Sequence, residues 1–234
     1  EVVGAVVRDL RANGGAGVVI GGEGQPPAVH AMAAAINAAM GNVGKTVQYT
    51  EDAHPSRTES IASLVKSLDS GAVETLVMIG GNPVYDAPAD LDFGTALGKA
   101  KESVHLSLYA NATSKASAWH LPRAHWIESW GDVKAYDGTI SVVQPLIQPM
   151  MSLNQGGWSS IELVAELAGT EPKEGYDIVR ATEAARSKTS GATFEAHWRT
   201  VLDTGLIEGT SAPASTTRLE NGRIADAVGG LAKV

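Results

Sequence analysis

The sequence predicts an α/β protein: an open, doubly wound sheet, mostly parallel, with helices on both faces and a helical segment near the C-terminal end. Short β-branched and aliphatic runs alternate with helical patterns over the first two thirds of the chain. Two of these runs end in glycine-rich turns, which is typical of Rossmann-like sheets. We expect an α/β domain over 1–155, a helical segment packed on it over 156–209, and a linker or truncated connection over 210–234.

Composition excludes several classes of function. The 234 residues include no cysteine, so this chain alone holds neither a disulfide nor a cysteine-ligated zinc or iron–sulfur centre. The formal net charge of −8 disfavours nucleic-acid binding. No apolar run approaches the roughly 18–20 residues that cross a bilayer, so no membrane span is expected. The chain opens at Glu1 without a signal peptide, which favours a piece of a longer protein.

The first quarter of the chain predicts two strands and one helix. Residues 17–20 form a short apolar run followed by a glycine-rich turn, as expected of a strand. Apolar residues then recur at helical spacing over residues 28–40, with Pro26 and Pro27 near the start and Gly41 at the end. Residues 45–49 have the alternating pattern of a half-exposed strand.

The next elements continue the alternation. Residues 56–59 have the spacing of a capping box, and the apolar stripe behind them predicts a helix that ends at Gly71. Residues 75–79 form a continuous apolar run, which is typical of a central strand covered on both faces. A short helix starting near Asp90 is expected to bury Phe93, Ala96 and Leu97.

A further strand is predicted at 103–109, followed by a polar turn at 111–114. From residue 120 to 151 the chain becomes aromatic, marked by proline and irregular, with Asp137-Gly138 as a turn signal. Beyond residue 157 the pattern is helical, and one stripe there combines Phe194, His197, Trp198 and Val201.

The two glycine-rich turns are the candidate cofactor-binding sites. In a doubly wound sheet both lie at the carboxyl ends of strands, where ligands bind, and glycine lets the backbone approach a phosphate. Glycine also suits any tight strand-to-helix turn, so a purely structural role stays open. The candidate residues, conditional on a retained dinucleotide crevice, are Gly21, Gly22, Gln25, Gly80, Gly81, Asn82 and Pro83.

No residue pattern predicts a catalytic or metal site. The chain lacks the Gly-x-Ser-x-Gly motif that positions a serine nucleophile, and no serine is visibly paired with a base. Structural packing is the favoured role for the histidines, because a zinc site needs three or four convergent ligands. The six histidines are His30, His54, His105, His120, His125 and His197.

A longer motif carries a family resemblance. The strand that ends in Gly80-Gly81-Asn82-Pro83, with a proline and an acid a few residues on, resembles the molybdopterin oxidoreductase superfamily. In that family this loop lies in the α/β part that holds one half of a bis-molybdopterin guanine dinucleotide. The next segment keeps several of the residues that many catalytic members carry, namely Leu121, Pro122, Glu128, Gly131 and Gly138.

Other positions depart from the catalytic pattern. Ala118 replaces the family's aspartate, Asp132 its threonine, Ala135 its asparagine and Thr139 its arginine. The losses of an amide and a cation, with a gain of negative charge, disfavour an anionic dinucleotide. Together with Trp119–Pro122 and residues 128–132, these departures resemble the large iron–sulfur subunit of alternative complex III, a quinol-oxidising respiratory complex.

The resemblance implies a non-catalytic scaffold without its own redox cofactor. Its partners would be the ferredoxin-like portion of the same subunit, which carries the iron–sulfur clusters, and neighbouring subunits on the periplasmic side of the inner membrane. Two alternatives stay open. One is the guanine-dinucleotide-binding portion of a working molybdenum bis-molybdopterin enzyme, and the other is a stand-alone nucleotide-binding module.

Overall fold

The computed structural model describes residues 2–22, 24–51, 59–150, 157–216 and 220–231. The chain divides into two compact units. The first joins Glu1–His54 to Ala212–Val234, and the second is Pro55–Ser211. This division keeps both sides of the expected boundary at residue 155 within the second unit.

The first unit is helical in the part that the structure describes. It contains α1 (Val2–Ala12), α2 (Pro27–Ala39) and α10 (Asn221–Leu231), and α10 packs against α2. Helix α2 confirms the helix predicted at 28–40, and it begins at a proline because the first helical turn needs no donor there. The tail predicted as a linker therefore contains a helix.

Neither strand predicted in the first unit forms among its described residues. Residues 17–20 pair with a side chain instead: Asn37 of α2 accepts a hydrogen bond from the Val19 amide (2.9 Å) and donates one to the Val19 carbonyl (2.7 Å). Residues 45–49 begin in a turn, because three successive amides donate to the carbonyl of Asn42. Local hydrogen bonds thus replace the cross-strand ladders that we expected.

Three parallel strands form the first sheet of the second unit. Their order is β1 (Thr75–Ile79), β2 (Glu102–Ser107) and β3 (Trp119–Pro122), and the first two confirm predicted strands. The expectation that β1 is the central strand is wrong, because β2 lies between β1 and β3 in the described sheet. Burial agrees with this order, since β2 has four buried residues and β1 has one.

Helices α3 (Ile61–Asp69) and α5 (Phe93–Leu97) pack together beside β1, and both were expected. The N-cap of α3 is Ser60, whose hydroxyl accepts the Ser63 amide at 3.1 Å; residues 56–58 of the predicted capping box lie outside the described residues. The core of this region consists of Val65, Leu68, Met78, Phe93, Ala96 and Leu97.

Two short helices follow the strands. They are α4 (Pro83–Asp86) after β1 and α6 (Ala112–Ala116) after β2. The prediction of a turn at 111–114 is wrong, since this segment begins α6. Asn111 caps the helix by accepting the Ser114 amide at 3.1 Å. So short a helix cannot be predicted from a polar run that has no apolar stripe. Capping and tertiary packing, rather than a local pattern, stabilise this helix.

The segment predicted as irregular, 120–151, contributes to two sheets. It contains most of β3 and the antiparallel pair β4 (Gly131–Lys134) and β5 (Ile140–Val143), and β6 (Leu206–Ile207) extends this second sheet. The Asp137-Gly138 turn is confirmed. The amide of Thr139 donates to Asp137 Oδ1 at 2.9 Å, and this hydrogen bond lowers the pKa of the Asp137 carboxyl.

The predicted helices after residue 157 are present as α7 (Ser160–Ala168), α8 (Gly175–Ser187) and α9 (Gly191–Thr204). Helix α7 starts with a capping box formed by Ser159 and Glu162. The helices enclose a second core with the antiparallel sheet, made of Val142, Val179, Phe194, Trp198, Val201 and Ile207.

The fold class is confirmed as mixed α/β, with a parallel sheet and helices, although the second sheet is antiparallel. Within the described residues, no helix combines the length and apolar character that a membrane span requires.

Candidate functional site

The first glycine-rich turn leads into α2. Gly22 and Gln25 are exposed, and the Gln25 amide donates to the Gly22 carbonyl at 3.0 Å. A Cβ on Gly21 would meet His30 Nδ1 at 3.2 Å, so a larger residue here would need the His30 ring to shift by a few tenths of an ångström. The N-cap and first residue of α2 are both prolines, which removes two amides that would otherwise attract an anion.

The second glycine-rich turn follows β1. Gly80 and Gly81 both adopt the left-handed backbone conformation, with φ of 71° and 69°. The Asn82 side chain is engaged inside the protein: its Oδ1 accepts the amide (3.1 Å) and the hydroxyl (2.9 Å) of Thr113. Pro83 starts α4. The residues predicted here therefore share one turn, tied to α6 by the asparagine.

The two turns belong to different compact units, the first to Glu1–His54 and the second to Pro55–Ser211. Each is a local site within its own unit. Glycine thus has a separate local explanation at each turn, namely a close approach to His30 at Gly21 and a left-handed backbone at Gly80 and Gly81.

Sequence analysis missed the residues that complete the second turn. Thr113 not only donates to Asn82 but also accepts the amide of Val84 at 3.0 Å. Asn111 donates from Nδ2 to the Gly81 carbonyl at 3.3 Å. Both residues follow β2, and a search for polar residues just after each parallel strand would have found them.

A serine–histidine network, made of His105, Ser107, Ser114 and His120, lies in and beside the central strand. The Gly80 carbonyl can only accept, so His105 donates to it from Nε2 at 3.2 Å. In the neutral ring, Nδ1 then accepts from Ser114 Oγ at 2.8 Å. Ser107 Oγ lies 3.1 Å from both Ser114 Oγ and His120 Nε2.

This network has one feature of an activated nucleophile, the Ser114–His105 hydrogen bond. However, Ser114 is buried and His105 is fully buried. The second ring nitrogen of His105 faces a backbone carbonyl rather than an orienting carboxylate. The network therefore ties β2 to the turn after β1 and to β3, and a structural role explains it fully.

Arg123 brings a cation to the second turn. It follows β3 directly, is exposed, and its Nη1 lies 3.4 Å from the position that a Cβ on Gly80 would occupy. The Arg123 amide donates to the Ser107 carbonyl at 3.0 Å, which continues the parallel ladder beyond the strand. A guanidinium beside a glycine turn can bind an anion or a carboxylate.

An exposed aromatic residue follows each of the three parallel strands. Tyr85 follows β1 and is 79% exposed, Tyr109 follows β2 and is 78% exposed, and Trp126 follows β3 and is 64% exposed. The carboxyl ends of the strands are aligned, because Ile79 pairs with Leu106 in the register. Each of the three segments that leave the carboxyl edge of the sheet thus carries a large exposed aromatic side chain.

The remaining histidines are placed separately in the part of the chain that the structure describes. Among the residues that the structure describes, no group of three or more histidines and carboxylates is placed to hold a metal ion. His30 is exposed, and His125 Nδ1 accepts the Ile127 amide at 3.3 Å. His54 lies outside the described residues.

His197, expected on an apolar stripe, is one third exposed and belongs to a charge cluster with Glu183 and Arg186. Glu183 is 2% exposed and accepts two hydrogen bonds from Arg186, both at 2.6 Å, and one from His197 at 2.5 Å. Burial raises the pKa of Glu183, but the bonds from Arg186 and His197 outweigh it and hold the pKa below its usual value. The cluster joins α8 to α9.

A cavity of about 550 Å³ opens in the second unit between the segment after β5 and the start of α8. Trp130 and Tyr176 form one wall, with their rings edge to face at 4.9 Å between centroids. The lining is mainly apolar and includes three carboxylates: Ala124, Glu128, Ser129, Trp130, Pro145, Leu146, Ile147, Gln148, Pro149, Gly157, Glu162, Glu174, Gly175 and Tyr176.

Comparison with known proteins adds no assignment. No protein-family model matches the chain, and no curated protein matches it.

Proposed function

We propose that this chain is a non-catalytic scaffold within a respiratory, quinol-oxidising assembly of the alternative complex III type. It would dock the ferredoxin-like portion of its own subunit and neighbouring subunits on the periplasmic side of the inner membrane. Electrons would pass through iron–sulfur clusters held by those partners. We also propose that the parallel sheet belongs to a doubly wound, Rossmann-like core of the molybdopterin oxidoreductase type.

The exposed aromatic residues after the strands carry this proposal. Groups of exposed apolar side chains mark interaction surfaces more often than single scattered ones do. Tyr85, Tyr109 and Trp126 lie on the segments that leave the carboxyl edge of the sheet, where ligands of doubly wound folds bind. In the first unit, α1 has no buried residue and exposes Val2 and Val3, which supports docking there as well.

The second glycine turn supports the absence of a cofactor role. The Asn82 oxygen already accepts two hydrogen bonds from Thr113, so a ligand would compete with the protein for it. Asp132, Ala135 and Thr139, where the sequence departs from the catalytic pattern, lie in and beside the β4–β5 hairpin. None of the three supplies a cation for a phosphate.

Two measurements on the full-length parent protein test the proposal. The first is metal and cofactor analysis, in which we expect iron but neither stoichiometric molybdenum nor extractable pterin. Stoichiometric molybdenum or pterin would contradict the scaffold role. The double variant Tyr85→Ser with Tyr109→Ser should reduce co-purification with the other subunits several-fold. Tyr136→Ser is the matched control, because Tyr136 is fully exposed on the hairpin of the second sheet.

One observation favours the guanine-dinucleotide alternative. Arg123 lies beside Gly80 and exposes a guanidinium at the turn that resembles the family's cofactor loop. Calorimetric titration of the chain with guanosine diphosphate tests this alternative and the stand-alone nucleotide module together. Binding that is lost in Arg123→Gln would favour a nucleotide site, whereas flat traces at millimolar ligand would eliminate both.

A further inference from the structure

The cavity beside Trp130 and Tyr176 is a preformed apolar groove. Its volume of about 550 Å³ lies in the range of roughly 300–1,000 Å³ that ligand pockets occupy. The Tyr176 ring is held in place because its hydroxyl accepts a hydrogen bond from Trp198 Nε1 at 3.0 Å. The Trp130 ring packs edge to face against it. The aromatic wall is therefore fixed before any partner arrives.

The charged groups of the groove are all negative. Glu128, Glu162 and Glu174 line it, and no lysine, arginine or histidine is among the described residues of the lining. None of these carboxylates forms an ion pair within the described part of the chain. The groove thus combines an apolar, aromatic surface with uncompensated negative charge, and its complement is a cation with a flat apolar face.

Backbone amides hold two of the carboxylates in position. Glu162 accepts the amides of Ser159 (2.9 Å) and Gly175 (3.0 Å), one at each oxygen. Glu128 accepts the amide of His125 at 2.9 Å and that of Met150 at 3.3 Å. A carboxylate oxygen has two acceptor sites, so each oxygen can still accept a hydrogen bond from a bound cation.

We propose that this groove binds an arginine side chain of a partner polypeptide. A guanidinium is planar, stacks on tryptophan and tyrosine rings, and offers five donors to carboxylates. The lining residue Leu146 is 77% exposed, which favours a polypeptide over a small amine, because a polypeptide would also cover this apolar surface next to the arginine. This inference rests on the proposed docking function and specifies the chemistry of one partner.

The test uses the full chain and two blocked pentapeptides, Gly-Gly-Arg-Gly-Gly and the same peptide with citrulline in place of arginine. Citrulline keeps the shape of the side chain and removes its charge. The indole N–H signal of Trp130 in NMR spectra follows binding at the groove. We expect the arginine peptide to shift this signal and to bind at least about tenfold more tightly than the citrulline peptide.

Glu174→Gln removes one charge without breaking a side-chain cap, since Glu174 forms no capping hydrogen bond. We expect it to weaken binding of the arginine peptide about threefold, because the carboxylate is exposed. Glu171→Gln, three residues away and outside the groove, should leave the affinity unchanged.

Several outcomes would overturn the proposal. Equal affinity for the two peptides, or no shift of the Trp130 signal, would show that the groove does not recognise a guanidinium. Agmatine binding as tightly as the peptide would assign the groove to small amines, and self-association blocked by the peptide would assign it to a second copy of this chain. Failure of peptide binding with normal subunit assembly would remove this inference and leave the docking proposal intact.

Discussion

The buried carboxylate of Glu183 is predicted to be a major stabilising contact between α8 and α9. Glu183→Gln keeps the size of the side chain and removes its charge, so Arg186 and His197 lose a charged acceptor and face an amide with a single acceptor oxygen. Hydrogen bonds to charged groups contribute about 1.5–3 kcal/mol each. Arg186 and His197 are about one third exposed and regain water in the variant. We therefore expect the free energy of unfolding to fall by about 2–3 kcal/mol. This is less than the roughly 3–5 kcal/mol that breaking a fully buried ion pair costs.

Tryptophan fluorescence isolates the unit that contains this cluster. All five tryptophans lie between residues 119 and 198, within the second unit. Thermal denaturation of the full chain at pH 7, followed by tryptophan fluorescence, therefore reports unfolding around Glu183. The melting temperature of that transition should fall by about 4–12 °C.

The pH dependence supplies the sharper criterion. The pKa of Glu183 is lowered in the folded protein, so its contribution is complete above the ordinary value of 4.5 and is lost as the pH falls through the folded value. The gap in stability between the native chain and Glu183→Gln should therefore narrow below pH 4.5. Glu195→Gln, which breaks an exposed pair with Arg180, should cost less than about 1 kcal/mol. Equal losses of unfolding free energy in Glu183→Gln and Glu195→Gln would refute the reasoning. So would a stability difference between the native chain and Glu183→Gln that stays constant below pH 4.5.

Three further changes test the turns and a helix cap, all by the same fluorescence transition. Asn82→Ala removes the acceptor of the Thr113 amide and hydroxyl and should lower the free energy of unfolding by about 1–3 kcal/mol. An unchanged midpoint of the unfolding transition would contradict this account of the turn. Gly80→Ala should lower the free energy of unfolding by about 1–2 kcal/mol because of the left-handed backbone, and Gly71→Ala, which has the same φ of 71°, should lower it by a similar amount. Ser159→Ala should cost about 1 kcal/mol and speed amide exchange in the first turn of α7, whereas unchanged exchange would show that the cap is dispensable.

Elements with a complete local signal could be predicted from the sequence. Helices α2 and α3 each combine an apolar stripe with an end signal, namely the prolines at the start of α2 and Gly71 after α3. Strands β1 and β2 are short apolar runs bounded by glycine or polar residues. In each of these segments the spacing of apolar residues fits one type of secondary structure, and the folded protein contains that type.

Elements that depend on distant partners could not be predicted. Residues 17–20 have the composition of a strand, but the side-chain amide of Asn37 pairs with the backbone amide and carbonyl of Val19 in this run. The order of the sheet also depends on packing, since the apolar run of β1 suits a central strand and an edge strand that packs against helices equally well.

The candidate site was predicted only in part. Glycine marks the second turn in the sequence, but the residues that organise it, Asn111, Thr113 and Arg123, lie some 30 or more positions further along the chain. Their proximity follows from the parallel register of β1, β2 and β3, which no local pattern encodes. The same holds for the three glutamates of the groove: the sequence contains them, but no local pattern predicts that they lie close together.

The chain-ordered parallel sheet has a consequence for the folding route. Only residues 108–118 separate β2 from β3, whereas residues 144–205 separate β5 from β6. Closing the longer loop costs about 1.5 kcal/mol more entropy, and local contacts generally form faster than distant ones. The β1–β3 sheet is thus suited to act as an early nucleus during synthesis, whereas the antiparallel sheet is completed only when β6 joins the β4–β5 hairpin.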